Sequence, residues 1–375
     1  MGDVCEVTMG QSPDGSTYSD EPSDYILVQG NADLKDGWVV PRVWTSQKTK
    51  TAQAGDLIMS VRAPVGAMGK TAYDIVIGRG VATIKGNEFI YQTLVKYDAD
   101  GYWKKLAAGS TFESVNSNEV KGAIINVPQD IEEQKKIGEY FLNLDHLITL
   151  HQQKNTRLIK LKKAMLEKMF PKKGSVIPEI RFNGFANAWE QRKLGEVAEI
   201  VRGASPRPIS DPKWFDDNSD VGWLRISDVT NQNGRIHYLE QHISKLGQEK
   251  TRVITEPHLL LSIAATVGKP LINYVKTGVH DGFLIFLNPS FDLEYMYQWL
   301  EMFRPEWNKY GQPGSQVNLN SDLVKNQIII LPSEDEQKNI SSFLKKFDHL
   351  ITLHQCKIDK IKNMKKAMLD QMFIQ

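Results

Sequence analysis

Apolar residues recur three and four positions apart along two stretches of the chain. In the first they fall at Ile137, Tyr140, Leu144 and Leu147, then at Leu158, Leu161 and Met165. In the second they fall at Ile340, Phe343, Phe347 and Leu350, then at Ile361, Met364 and Met368. Such spacing, sustained over roughly five heptads, sets one face of a long helix and predicts a coiled-coil seam. Each helix also has a start signal. Asp130 precedes Glu133 and Ser333 precedes Glu336 at the separation of an N-cap and N3 pair, the form of a capping box. Ahead of each cap runs a strand-like segment closed by proline, Ala123 to Pro128 and Ile328 to Pro332.

The two stretches are copies of one another. Sliding the chain by 203 residues aligns Glu133–Phe170 with Glu336–Phe373 without a gap, and 20 of the 38 positions are identical. "DHLITLHQ" stands letter for letter at Asp145–Gln152 and at Asp348–Gln355. The duplication continues in weaker form: Gly2, Gly10, Ser12 and Pro13 parallel Gly195, Gly203, Ser205 and Pro206, and Val65-Gly66 parallels Val267-Gly268. Each half therefore reads as a variable domain of mixed strands and turns followed by a helix. The expected class is α+β, with the halves related by a pseudo-twofold. The expected segments are 1–129 and 175–332 for the two domains, and 130–174 and 333–375 for the two helices with their linkers.

At ~1.5 Å per residue such a helix runs roughly 57 Å, far more than local packing needs. It requires a partner helix, and the other copy supplies one. In the middle of the seam the apolar series is interrupted by His151 with Lys154 and by His354 with Lys357. Antiparallel packing brings His151 to His354. There they either fix register, as a polar core residue does, or sit as tolerated, partly hydrated side chains. No third ligand stands near them in sequence, so metal binding is not expected.

Composition adds boundaries rather than function. Hydrophobic content of 41% and charged content of 24% are those of a globular protein, and the net charge of +1 neither favours nor opposes nucleic acid. No apolar run approaches the ~18 residues of a membrane span. The chain reads as soluble and cytoplasmic, with no membrane partner. Cys5 and Cys356 stand alone, without the spacing of a disulfide framework or zinc site.

Motifs that suggest catalysis fail in detail. Gly69-Lys70-Thr71 resembles the end of a phosphate loop, but Pro64 stands where its first glycine belongs. Asn288-Pro289-Ser290-Phe291 lacks the second proline of an amino-methyltransferase signature, and the Glu-x-Lys of Glu133 and Glu336 lies in a helix first turn, where acid serves the dipole. The chain does not read as a self-sufficient enzyme.

The helix starts "EEQKKI" (Glu132–Ile137) and "DEQKNI" (Asp335–Ile340), with "LDHLITLHQ" and "KLKKAMLEKMF" (Lys160–Phe170), resemble the specificity subunits of type I restriction-modification enzymes. So does "PEIRFNGFANAWEQRKLGEV" (Pro178–Val197), a form typical of the segment leading into a target-recognition domain. The first copy begins at Met1, level with Leu194, and has no counterpart of that lead-in. Its domain is therefore expected to pack differently there. The resemblance covers nearly the whole chain and implies two target-recognition domains, each reading one part of a split target in double-stranded DNA. It implies two long antiparallel helices that separate them and set the spacer. It implies no catalysis and no cofactor on this chain. S-adenosylmethionine, ATP and Mg belong to the partners, two methyltransferase subunits and the restriction subunits. The other reading is a coiled-coil scaffold joining two protein-binding domains.

Basic side chains near matched turns are the candidate DNA contacts: Arg62, Lys70, Arg79, Lys104 and Lys105 in the first domain, and Arg202, Arg207, Lys213, Arg225 and Lys269 in the second. Trp38, Trp44, Trp103, Trp214, Trp223 and Trp299 read as core. Gly109-Ser110 and Gly314-Ser315 suggest backbone loops facing DNA or turns leading to a cap. Lys154 to Lys173 holds eight basic residues and one acidic, Glu167. That stretch reads as a solvated face, a phosphate track or a dock for methyltransferase subunits.

Overall fold

A computed structural model describes residues 1–107, 113–263, 266–310 and 319–373. Four helices organise it: α1 (Glu88–Ala99), α2 (Ile131–Met169), α3 (Leu293–Trp307) and α4 (Glu334–Met372). The chain divides into two compact units, residues 1–154 with 354–375, and residues 155–353. The division falls within α2 and α4, so each unit contains part of both long helices.

In the first unit a six-stranded sheet runs Glu6–Met9, Val81–Lys85, Leu57–Ser60, Met68–Lys70, Trp38–Val39 and Leu34–Lys35. A five-stranded sheet packs beside it. The strand Leu57–Ser60 is buried along its length and apolar at its first three positions because both its faces are covered. Leu57 and Met59 join a core with Phe89, Ile90 and Leu94 of α1, while Ile58 points the other way, against Val28, Ile75 and Ile77 of the second sheet. The second unit repeats the plan. Glu199–Arg202, Phe283–Leu287, Leu259–Ser262 and Pro270–Asn273 lie in the same order, with Leu259 and Leu261 toward α3 and Leu260 toward the opposite core. Gly66 and Gly268 have φ of +100° and +75°, and a Cβ at either would collide with Trp103 or Trp307. The matched Val-Gly pairs of the sequence are thus turns that require glycine.

The long helices pair antiparallel within each unit. In the first, Ile137, Phe141 and Leu144 of α2 share a core with Ile361, Met368, Leu369 and Phe373 at the end of α4. In the second, Met165, Met169 and Phe170 share one with Ile340, Phe343 and Leu344. The inward positions of α2 are Phe141, Leu144, Ile148, His151, Asn155, Leu158, Lys162, Met165 and Met169; those of α4 are Ile340, Leu344, Phe347, Ile351, His354, Ile358, Ile361, Lys365 and Met368. This strict heptad corrects the sequence reading at several places. Tyr140, Leu147, Leu161, Leu350 and Met364 are exposed. Where two apolar residues are adjacent, as at Leu147-Ile148 and Leu350-Ile351, an apolar count does not say which turns inward. Where the inward residue is Lys162 or Lys365, an apolar count steps past it. Lys162 pairs with Asp348 at 2.5 Å and Lys365 with Asp145 at 2.6 Å, so these charges are satisfied across the seam. Gln298 of α3 and Gln92 of α1 donate to the same aspartates, at 2.7 and 2.9 Å.

His151 Nδ1 lies 2.8 Å from His354 Nδ1. Asp130 caps α2, accepting from the Glu132 N–H at 2.8 Å. Glu336 is fully buried and grips Arg181 with both oxygens, at 2.7 and 2.8 Å, so an ion pair replaces the N3 role expected of it.

Candidate nucleic-acid interface

Each unit has a groove built from the same two loops. One loop follows the first strand of the main sheet: Gly10–Pro13 in the first unit, Gly203–Pro206 in the second. The other precedes the strand paired with it: Gly78–Gly80 and His280–Gly282. The loops are held close because Gly10 and Gly203 sit against the carbonyls of Gly78 and His280, where no Cβ fits. A serine joins them in both units. Ser12 Oγ accepts the Arg79 N–H at 3.1 Å, and Ser205 Oγ accepts the Asp281 N–H at 3.3 Å. Arg79 and Asp281 therefore occupy the same place on the same frame with opposite charge.

The first groove, about 340 Å³, is lined by Ser12, Tyr18, Gln29, Ser60, Arg62 and Arg79 among others. Its two arginines are exposed, and neither has an ion pair among the described residues. The second groove, about 650 Å³, includes Ser205, Arg207, Trp223, Arg225, His280 and Asp281. The Ser205 hydroxyl, with Arg202, His280 and Arg207 nearby, holds the Asp281 carboxyl below its ordinary range, so it is ionised at neutral pH. Burial lowers the His280 pKa. Its Nδ1 accepts the Gly282 N–H at 2.9 Å, which leaves the hydrogen of the neutral ring on Nε2. One groove is cationic; the other mixes acid, base and neutral donor.

The family signature of the type I restriction modification DNA specificity domain matches residues 1–160 and again 186–363. The chain belongs to this family. Among its relatives, it is 29% identical over 169 residues to a putative type I restriction enzyme MjaX specificity subunit of Methanocaldococcus jannaschii, covering 43% of this chain and 39% of that one. It is 26% identical over 297 residues to the MjaVIII specificity subunit of the same organism, covering 72% of this chain and 66% of that one. The chain thus spans less than two thirds of the length of either. Among solved structures, the S subunit of a type I restriction-modification system from M. genitalium superposes with a TM-score of 0.69 at 12% identity, covering 100% of this chain and 95% of that one. A chain from a study of complex assembly and conformational transition in a type I system gives 0.57 at 18%, covering 99% and 95%. At these identities the likeness is one of fold.

For a member of the specificity family, the basic residues singled out in the sequence divide into two groups. Arg62 and Arg79 line the first groove, and Arg207 and Arg225 the second. Arg225 is anchored there by Asp228 at 3.0 Å and Glu240 at 2.7 Å. Arg202 donates to the Asp281 carbonyl at 2.6 Å and so props the second loop. The others are not brought to the grooves. Lys70 is committed to Glu88 at 2.8 Å and covered by the rings of Trp38 and Tyr91. Lys269 pairs with Glu301 at 3.2 Å, and Lys213 with Asp211 at 2.8 Å over Trp214. Lys104 and Lys105 are exposed, and Lys105 lines a separate cavity beside Asp370. Sequence reasoning missed Gln29, His280 and Asp281, which carry no signal until the strands bring their loops together, while Trp223, read as core, is buried with Val221 and Ile243 and edges the second groove. It also placed Trp38 in the core, whereas that ring is exposed. Within the Lys154–Lys173 stretch, Lys162, Lys163 and Lys172 have acidic partners in Asp348, Glu167 and Glu179. Gly109-Ser110 and Gly314-Ser315 lie outside the described residues. Asn116 and Asn320, just after them, cap short helices. Among the described residues there is no cluster of acidic, histidine and cysteine side chains that would hold a metal, and no helix is long and apolar enough to cross a membrane.

Proposed function

We propose that the chain is the DNA-recognition subunit of a type I restriction-modification complex. Residues 1–129 and 175–332 are the two target-recognition domains, each reading one half of a bipartite site in double-stranded DNA. The long helices, 130–174 and 333–375, set the spacer between the halves and dock two methyltransferase subunits, with restriction subunits joining the assembly. The chain performs no chemistry itself. S-adenosylmethionine, ATP and Mg act on its partners. The supporting observation is the pair of homologous grooves carrying Arg79 in one and Asp281 in the other. Two different half-sites demand one frame with different base-reading groups: an arginine pairs with guanine edges, and an aspartate accepts from cytosine N4.

Co-expression with the cognate methyltransferase subunit and mapping of methylated adenine across a host genome tests this. The expected result is one discontinuous two-part motif. Arg79→Ala should relax one half of it, at a cost of ~1–3 kcal/mol at the base it reads, and leave the other half unchanged. Absence of any bipartite motif would refute the reading and favour a protein-binding scaffold.

A further inference from the structure

Asp145 and Asp348, which open the repeated string, are each held from two directions. Lys365 reaches Asp145 across the seam at 2.6 Å, and Gln92 of α1 donates to it at 2.9 Å. Lys162 reaches Asp348 across the seam at 2.5 Å, and Gln298 of α3 donates to it at 2.7 Å. The lysine in each case belongs to the other long helix and the glutamine to the domain. Each aspartate therefore joins three helices at one point.

A second charge pair stands one turn back along each domain helix, where Glu88 and Glu294 precede the glutamines by four residues. Glu88 takes Lys70 and Glu294 takes Arg235, both at 2.8 Å, and the cations lie over corresponding rings, Tyr91 at 4.5 Å and Tyr297 at 3.9 Å. Lys70 comes from the fourth strand of its sheet, Arg235 from the fifth. The domains thus differ in which strand supplies the charge but not in where the charge sits.

Burial makes this arrangement costly. Gln92 and Gln298 are fully buried, and the Oε1 of each finds no hydrogen-bond partner among the described residues. Leucine or methionine would fill the same space and leave no carbonyl unpaired. Apolar contact is non-directional, whereas a hydrogen bond to a fixed carboxylate sets an angle. The polar contact therefore defines how each domain helix is turned on its helix pair, which the apolar core around it does not.

We infer that Asp145 with Gln92, and Asp348 with Gln298, are positioning residues: joints that fix the orientation of each domain on its helices and, through it, the spacer length the subunit accepts. The inference rests on the reading of the chain as a DNA-recognition subunit. The step from angle to spacer is geometric. One base pair added to a spacer moves a half-site by ~3.4 Å and turns it by about 34°. A domain held at one angle rejects that site; a domain free to turn accepts it.

The test replaces the second joint with apolar groups, Lys162→Met, Asp348→Leu and Gln298→Leu together, in the full chain co-expressed with its methyltransferase subunit. No charge is stranded, because Arg235 keeps Glu294. Methylated adenine is mapped across the host genome, and thermal unfolding of the purified chain is followed in parallel. The unfolding midpoint should be unchanged or raised, as when a buried ionic cluster gives way to packed apolar groups. Both half-sites should be retained, while discrimination against spacers one base pair longer or shorter falls roughly tenfold. Gln298→Met alone leaves Asp348 paired with Lys162 and should relax the spacer in the same direction; it decides the matter if the triple variant does not fold. A folded variant that keeps the original single spacer overturns the inference. So does a lowered midpoint with an unchanged motif, since the cluster would then only stabilise. If the unsubstituted chain yields no bipartite motif, the DNA reading itself fails and the inference falls with it.

Discussion

His151 and His354 face each other through Nδ1 atoms 2.8 Å apart, so one ring donates and the other accepts. A second proton would set two donors against each other. Burial, then His354, Lys357 and Lys154, lower the His151 pKa below its ordinary value. The unfolded chain therefore takes up this proton at a higher pH, near ~6.5, than the folded chain does. The associated stability is present above that value and is lost as pH falls from about 6.5 toward the lowered folded pKa. Denaturant unfolding across pH 8 to 5 should show stability falling with acid, and His151→Asn should flatten that fall. An unchanged slope in the variant would remove the pair from the account. The residues themselves were legible in the sequence as the polar break in the seam. Their contact was not, because it requires the antiparallel partner. The same limit hid Lys162 and Lys365, whose charges are tolerable inward only because Asp348 and Asp145 come from the other helix.

The helices were legible as elements because their period is local and their caps lie within a few residues of each other. The register of the seam was not fully legible. A run such as Leu147-Ile148 satisfies either of two stripes, and only packing against the second helix selects Ile148, which is buried, over Leu147, which is 42% exposed. The two residues are a direct test. Ile148→Ala should cost about 2 kcal/mol or more in unfolding free energy, while Leu147→Ala should change it by no more than about 0.5 kcal/mol. Equal losses would mean that the seam runs as the apolar count alone suggests. Strands were less legible than helices, for they are short and several are apolar on both faces. Leu57–Ser60 reveals its alternation only when Leu57 and Met59 find α1 and Ile58 finds the second sheet.

Across the molecule, the duplication gives each unit the same sheet order, the same glycine turn against a tryptophan and the same aspartate–lysine–glutamine cluster at its helix pair. What differs is placed on the loops. If helix length sets the spacer, deleting equal numbers of residues from α2 and α4, in whole heptads that keep the seam in phase, should shorten the gap in the methylated motif and preserve both half-sites. Changed half-site sequences would show that the helices do more than space the domains.

The sequence by itself determined the repeat, the two long helices, the Asp130 cap of the first and the family, because each is written in local spacing or in a matched string. The tertiary structure decided which apolar residue of an adjacent pair faces inward and which lysines are tied to carboxylates. It also decided that Arg79 and Asp281 share one position. Those outcomes depend on groups far apart in the chain, brought together only when strands pair and helices pack, and no local pattern records them.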